Sequence, residues 1–225
     1  GSFPHDHAGS RAYRWNEAGL AGLSDLRQRL CLSMALWNGA DPILKERVFG
    51  LTGPEGNHGE DAKEYWWYLD AVPSHSWLRW RYHYPQRPFP YADLVAENAR
   101  RGFHDPEYEL LDTGVFDEDR YWSVEVTYAK ADATDIAVRV VATNHGPDPA
   151  ELHVLPTLWF RNTWAWGDDD EGSRGAQLHL EGTSIQANHP TLGRYELLAD
   201  VGSDGTRPTA LFCENETNAA RVFES

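Results

Sequence analysis

The sequence predicts an all-β protein, most simply a large antiparallel sandwich of two sheets with one short helix. Three observations predict it. The dominant hydrophobic period is two rather than 3.6. Turn signals rich in Gly, Pro, Asn and Asp recur over most of the length. Only one stretch spaces its apolar residues as a helix does.

The elements follow in order. "LRQRLCLSMALWNG" (26–39) reads as a strand with Leu30, Leu32, Met34 and Leu36 inward, Arg29 and Ser33 outward, and a turn at Asn38-Gly39. After "EGNHGED" (55–61), Tyr65 to Leu69 enter a sheet as an aromatic block that reads as core or interdomain packing. "SWLRWRYHY" (76–84) places Leu78, Trp80, Tyr82 and Tyr84 on one face and Arg79, Arg81 and His83 on the other. "FPYADLVAENARRGF" (89–103) is the helical stretch, with Leu94, Val95 and Asn98 at helical offset and Gly102 as its stop. "RYWSVEVTYAK" alternates Trp122, Val124, Val126 and Tyr128 against Ser123, Glu125 and Thr127. "TDIAVRVVATN" sets Ile136, Val138 and Val140 against Arg139. "ELHVLPTLWF", "AQLHLEG", "RYELLAD" and "PTALFCE" supply further short strands between turns. Alternation of this kind marks half-buried antiparallel strands.

No composition break divides the chain, so residues 3–225 read as a single domain, with Gly1-Ser2 set apart as a cloning scar. The start at "GSFPHDH" and the end at "RVFES" point to a piece excised from a longer protein. A chain of 225 residues can bury a large core, roughly 70% of its unfolded surface. The net charge of −15 argues against nucleic-acid and anionic-membrane partners. No stretch approaches the ~20 apolar residues of a membrane-spanning helix. Cys31 and Cys213 match no metal or redox spacing and read as reduced thiols of a cytoplasmic protein.

Motifs for the common chemistries are missing. There is no phosphate-binding loop, zinc-protease helix or nucleophile elbow. His5 and His7 would share a strand face, but Arg11 and Ala12 stand where a cupin-type metal site needs Glu. Asp168 to Glu171 run consecutively, whereas calcium loops alternate their ligands, so they read as a solvated acidic turn. No metal or other cofactor is expected. Ten Trp are numerous, and most fall at alternating strand positions that fill a sheet interior. Trp164 and Trp166 differ, since they follow a strand and precede an acidic turn. They read as a surface that stacks on sugar rings, as structural packing, or as an interface with a missing domain.

His58, Glu60 and Asp61 project from a loop bracketed by Gly56 and Gly59. Glycoside hydrolysis needs two carboxyl groups roughly 5–10 Å apart across a sugar. Glu60 and Asp61 are adjacent, and successive side chains diverge, so they cannot straddle one alone. They read as polar contacts lining a cleft or as hydrogen bonds that fix the loop. No catalytic residue is assigned.

The strings "FPHDHAGSRAYRWNEAGLAGLSD", "MALWNGADPILKERVFGLTGPEGNHGEDAKEYWWYLDAVPSHS", "YPQRPFPYADL", "EYELLDTGVFDEDRYWSVEVTYAKA" and "HVLPTLWFRNTWAWG" resemble the N-terminal region of bacterial family 63 glycoside hydrolase-like proteins, relatives of the mannosyl-oligosaccharide glucosidases. The resemblance covers roughly residues 3–170. It implies a galactose-mutarotase-like β supersandwich preceding a catalytic (α/α)6 barrel that is absent from this chain. The family's members are inverting glycosidases acting on α-glucosidic or related linkages. Their acid and base carboxylates belong to the barrel, so none carries over.

The resemblance further implies that "HDHAGSRAYRW" and "GNHGED" face the barrel, lining its sugar pocket or sealing the interdomain surface. The expected function is therefore a non-catalytic domain that supports the barrel of a glycoside hydrolase and lines its sugar pocket with His58, Glu60, Asp61, Trp164 and Trp166. The expected partners are that barrel and an oligosaccharide or glucoside. Two alternatives stand beside this reading. One is a free-standing aldose-epimerase-like enzyme with His58, His75 or His153 as acid. The other is a carbohydrate-binding module.

Overall fold

The structure is a computed structural model that describes residues 2–4, 19–42, 44–46, 48–51, 61–62, 64–161 and 175–213. It is all-β with one short α-helix, as the period-two pattern predicts. The chain divides into two compact units, 1–22 with 33–156, and 23–32 with 157–225. No helix among the described residues is long and apolar enough to cross a membrane.

The first unit is built on an antiparallel four-stranded meander. Its strands are β6 (Tyr65–Ala71), β7 (Trp77–Pro85), β8 (Tyr121–Asp132) and β9 (Asp135–Asn144), paired in that order. Its inner face carries Trp80, Tyr82, Tyr84, Val124, Val126 and Tyr128, all buried, as the alternation predicts. β9 is an edge strand, and its residues are less enclosed: Val138 and Val140 are half-buried, while Ile136 is exposed.

A second sheet has the order β10 (His153–Phe160), β3 (Leu30–Trp37), β2 (Leu20–Ser24). Met34, Ala35 and Leu36 are sealed from water, and the Tyr128 hydroxyl donates to Ala21 O at 2.6 Å. The meander's inner face and Met34, Ala35 and Leu36 of β3 supply the buried aromatic and aliphatic residues of the first unit. A small sheet pairs β1 (Ser2–Pro4) in parallel with β4 (Val48–Leu51), which runs antiparallel to β5 (Asp61–Ala62). Ser2, set apart at the sequence level, is thus paired with Val48.

Ser33 corrects the expected pattern of β3, because it is buried rather than outward. β3 is the middle strand of its sheet, and small residues on its second face let both sides be covered. A Cβ added to Gly19 would lie 2.5 Å from the Ser33 hydroxyl, which shows how closely the chain approaches there.

The Asn38-Gly39 turn forms as predicted. Gly39 takes φ +77°, a region costly for residues bearing Cβ. The Asn38 side-chain oxygen accepts from the Ala40 and Asp41 amides, while its nitrogen donates to Pro85 O and Arg87 O. The turn is thereby tied to the end of β7.

The helix α1 spans Tyr91–Arg100 and buries Tyr91 and Leu94. Val95, expected inward, is exposed. The inward stripe instead passes through Asn98, whose side chain donates to Tyr108 O and accepts from the Tyr108 amide at 2.9 Å each. The helix packs Leu94 with Phe89, Tyr91, Leu110 and Val115 in a cluster that also touches Tyr65, Tyr108 and Phe116. This cluster anchors the segment that follows the helix.

The second unit contains the meander β11 (Gln177–Glu181), β12 (Ser184–His189) and β13 (Gly193–Leu198). The predicted strand "PTALFCE" is not one over its described residues, 208–213. Leu211, Phe212 and Cys213 are exposed and pair with no strand among the described residues.

The Asp25 carboxylate closes the turn before β3 by accepting from the amides of Arg27, Arg29 and Leu30. Cys31 is buried and free, and burial, then the Asp25 charge, raises its thiol to about 11. At pH 8 a thiol-reactive dye is expected to label exposed Cys213 quickly and Cys31 only on denaturation. Equal labelling rates in the native chain would show that Cys31 is accessible.

Candidate functional site

The outer face of the four-stranded meander carries the chemistry. β6 and β7 pair Tyr65 with His83 and Trp67 with Arg81, and β7 and β8 pair Arg81 with Glu125 and His83 with Ser123. Side chains two apart share a face, so Tyr65, Trp67, Arg81, His83, Glu125 and Tyr121 all point outward.

The arginines of this face are not a free basic patch. The Arg81 Nε donates to Glu125 Oε1 at 2.8 Å, and Arg79 donates to Oε2 at 3.2 Å. Hydrogen bonds from Arg81, then from Arg79, hold the Glu125 carboxyl below its ordinary range.

Beside this triad a pocket of about 400 Å³ opens, lined by Tyr65, Trp67, His83, Leu111, Phe116, Asp117, Asp119 and Tyr121. Its floor is the sheet. Its wall is the segment 110–120, whose shape follows from local sequence. A 3-10 turn at Leu110–Thr113 is capped by reciprocal bonds between Glu109 and Asp112 and ended by Gly114 at φ +70°. A second turn, Asp117–Asp119, puts Glu118 and Asp119 at φ 62° and 55°. Arg120 pins it by donating to Glu118 at 2.7 Å and to Asp148 at 2.8 Å. Phe116 is held by the α1 cluster below.

The rings do not form one flat platform. Tyr65 and Trp67 stack at 6.3 Å and 22°, Tyr65 and Phe116 tilt at 58°, and Phe116 meets Tyr121 edge to face at 88°. His83 lies 4.8 Å from both Trp67 and Tyr121. Burial, then the charges of Arg81 and His145, lowers the His83 imidazole and favours its neutral form. The Tyr65 phenol is raised by burial, then by Glu109 and Asp112, and stays protonated at neutral pH. Ring faces with two carboxylates at the rim make a cup suited to holding a ligand.

Among the described residues no three His, Cys, Asp or Glu side chains converge on a metal-sized space. Of the residues singled out from sequence, His58, Glu60, Trp164 and Trp166 lie outside the described residues, as do His5, His7 and Asp168 to Glu171. Asp61 is described only through its backbone, which pairs with Leu51. His75 occupies the exposed β6–β7 turn at φ 54°, and His153 pairs with Glu151 at 2.6 Å and packs on Trp37 at 5.1 Å.

The sequence reading of Tyr65 to Tyr68 as core or interdomain packing did not foresee a pocket. Trp67 is 41% exposed and Tyr68 77%. The missed wall had a legible sign in "VFDEDRY" (115–121), where three consecutive acids stand between two aromatics at the start of a strand.

No protein-family model matches the chain, and no solved structure does. A match among curated proteins is the uncharacterized protein YMR196W of Saccharomyces cerevisiae, 37% identical over 254 aligned positions. The alignment takes in 99% of this chain and 23% of the yeast protein, so the chain spans about a quarter of its relative's length.

Proposed function

We propose that the chain is a non-catalytic β-sandwich domain of an inverting glycoside hydrolase acting on α-glucosidic or related linkages. In this reading it supports an (α/α)6 catalytic barrel elsewhere in the full-length protein. The observation that carries the proposal is the run of family 63-like strings, above all "HDHAGSRAYRW" and "GNHGED", on a chain built of antiparallel sheets. The much greater length of the yeast relative leaves room for such a barrel. Chemistry then belongs to the barrel's carboxylates, and this domain contributes loop contacts to the sugar from His58, Glu60, Asp61, Trp164 and Trp166. Free Cys31 and Cys213 accord with a cytoplasmic location, which the proposal includes.

The test is hydrolysis of a panel of α-linked glucosides by the full-length protein, followed by NMR of the released anomer. Hydrolysis with inversion is expected, with no turnover by residues 1–225 alone. Failure of the full-length protein on the whole panel, or turnover by this chain alone, would overturn the reading. Replacing His58 or Asp61 with Ala in the full-length protein is expected to lower kcat/KM at least tenfold, about 1.4 kcal/mol. Unchanged kinetics at unchanged stability would remove these residues from the sugar pocket.

A further inference from the structure

The cup on the outer sheet face has a composition that glucoside binding does not require. Tyr65, Trp67, Phe116 and Tyr121 present ring faces and edges from several directions, with interplanar angles from 22° to 88°. A pyranose stacks best on one open platform, whereas a compact cation gains from several ring faces at once.

Charge points the same way. Asp117 and Asp119 bring two carboxylates to the pocket, and neither side chain is paired with a cation among the described residues. Their neighbour Arg120 is already engaged by Glu118 and Asp148. His83, held towards its neutral form by burial, adds no competing positive charge. The net charge of −15 draws cations towards the molecule as a whole.

We propose that the pocket formed by Tyr65, Trp67, Phe116, Tyr121, Asp117 and Asp119 binds a small organic ammonium ion of the quaternary or methylated class. The rings receive its methyl groups and share its charge with the two carboxylates. Its volume of about 400 Å³ falls within the usual range of small-molecule sites, roughly 300–1,000 Å³. None of the residues that line the site is one assigned to the sugar, so it stands whether or not the full-length protein hydrolyses glucosides.

Calorimetric titration of the full-length protein with choline tests this, with 3,3-dimethyl-1-butanol as the uncharged isostere and maltose as the neutral sugar. Saturable choline binding is expected, with the butanol at least tenfold weaker. Trp67→Ala should weaken choline at least tenfold. The pair Asp117→Asn and Asp119→Asn should do the same, with circular dichroism and melting unchanged to show that the fold persists. Absence of choline binding overturns the proposal, as does equal affinity in the Asp117→Asn, Asp119→Asn protein. Maltose binding more tightly than choline, and depending on Trp67, would make the cup a sugar site instead.

Discussion

Replacing Lys45 with Met is expected to destabilise the chain by about 3–5 kcal/mol, the range for leaving one member of a buried ion pair behind. The Lys45 ammonium lies 2.9 Å from Glu64 Oε1, and the two side chains are 2% and 0% exposed. It also sits 4.2 Å from the centre of the Phe89 ring. Glu64 accepts a second bond from the Tyr82 hydroxyl, and burial, then the Glu64 charge, pushes that phenol well above its ordinary value.

Met fills much of the space of Lys but leaves the carboxylate buried without this cation. Adding Glu64→Gln removes the carboxylate charge that faced Lys45 and keeps an acceptor for Tyr82, so the double variant should recover at least half of the loss. Thermal unfolding followed by circular dichroism reads both. A single variant within 1 kcal/mol of the parent would mean that the pair is worth no more than one at the surface.

Leu94→Ala is expected to cost about 2–5 kcal/mol, because Leu94 is fully enclosed and its truncation leaves a cavity. Its neighbours Phe89, Tyr91, Leu110 and Val115 cannot close that space without moving the segment that bears Phe116 and Asp117. The same substitution should therefore weaken ligand binding at the outer pocket as well as lower the melting temperature. Val95→Ala is the control. It lies one residue along the same helix, is exposed, and should change stability by less than about 0.5 kcal/mol. Equal losses in the two variants would show that α1 does not pack through Leu94.

The strands of the first unit were legible because their faces differ so sharply. Trp80, Tyr82 and Tyr84 alternate with Arg79, Arg81 and His83, and water sorts such residues without reference to distant partners. The second unit was harder to read. β12 (Ser184–His189) buries Ser184, Gln186, Ala187 and His189, a largely polar set that no hydrophobic period reveals. It is stabilised by partners distant in sequence or supplied by the turn, such as the His189 ring packed on Phe160 at 5.4 Å and accepting from the Thr191 amide at 3.2 Å.

Ser33 and Trp67 show opposite effects of strand position. A small polar residue is buried because its strand is central, and a large aromatic is exposed because its strand lies at the sheet edge. Strand position within a sheet is set by pairing order, which local pattern does not encode. The sugar-lining residues expected from sequence, His58, Glu60, Trp164 and Trp166, lie outside the described residues. The pocket the structure offers draws instead on Tyr65, His83, Phe116 and Tyr121, brought together from four segments.

By itself the sequence determined the all-β class, the inner faces of β7 and β8, the helix near Tyr91–Arg100 and the Asn38-Gly39 turn. Each depends on interactions within a few residues or on simple partition between water and core. Only the tertiary structure decided that Tyr65 and Trp67 face a pocket, and that Asp117 and Asp119 reach its rim. Those placements depend on strand order and on the α1 cluster that folds residues 110–120 back over the sheet, and such long-range packing leaves no periodic mark in the chain.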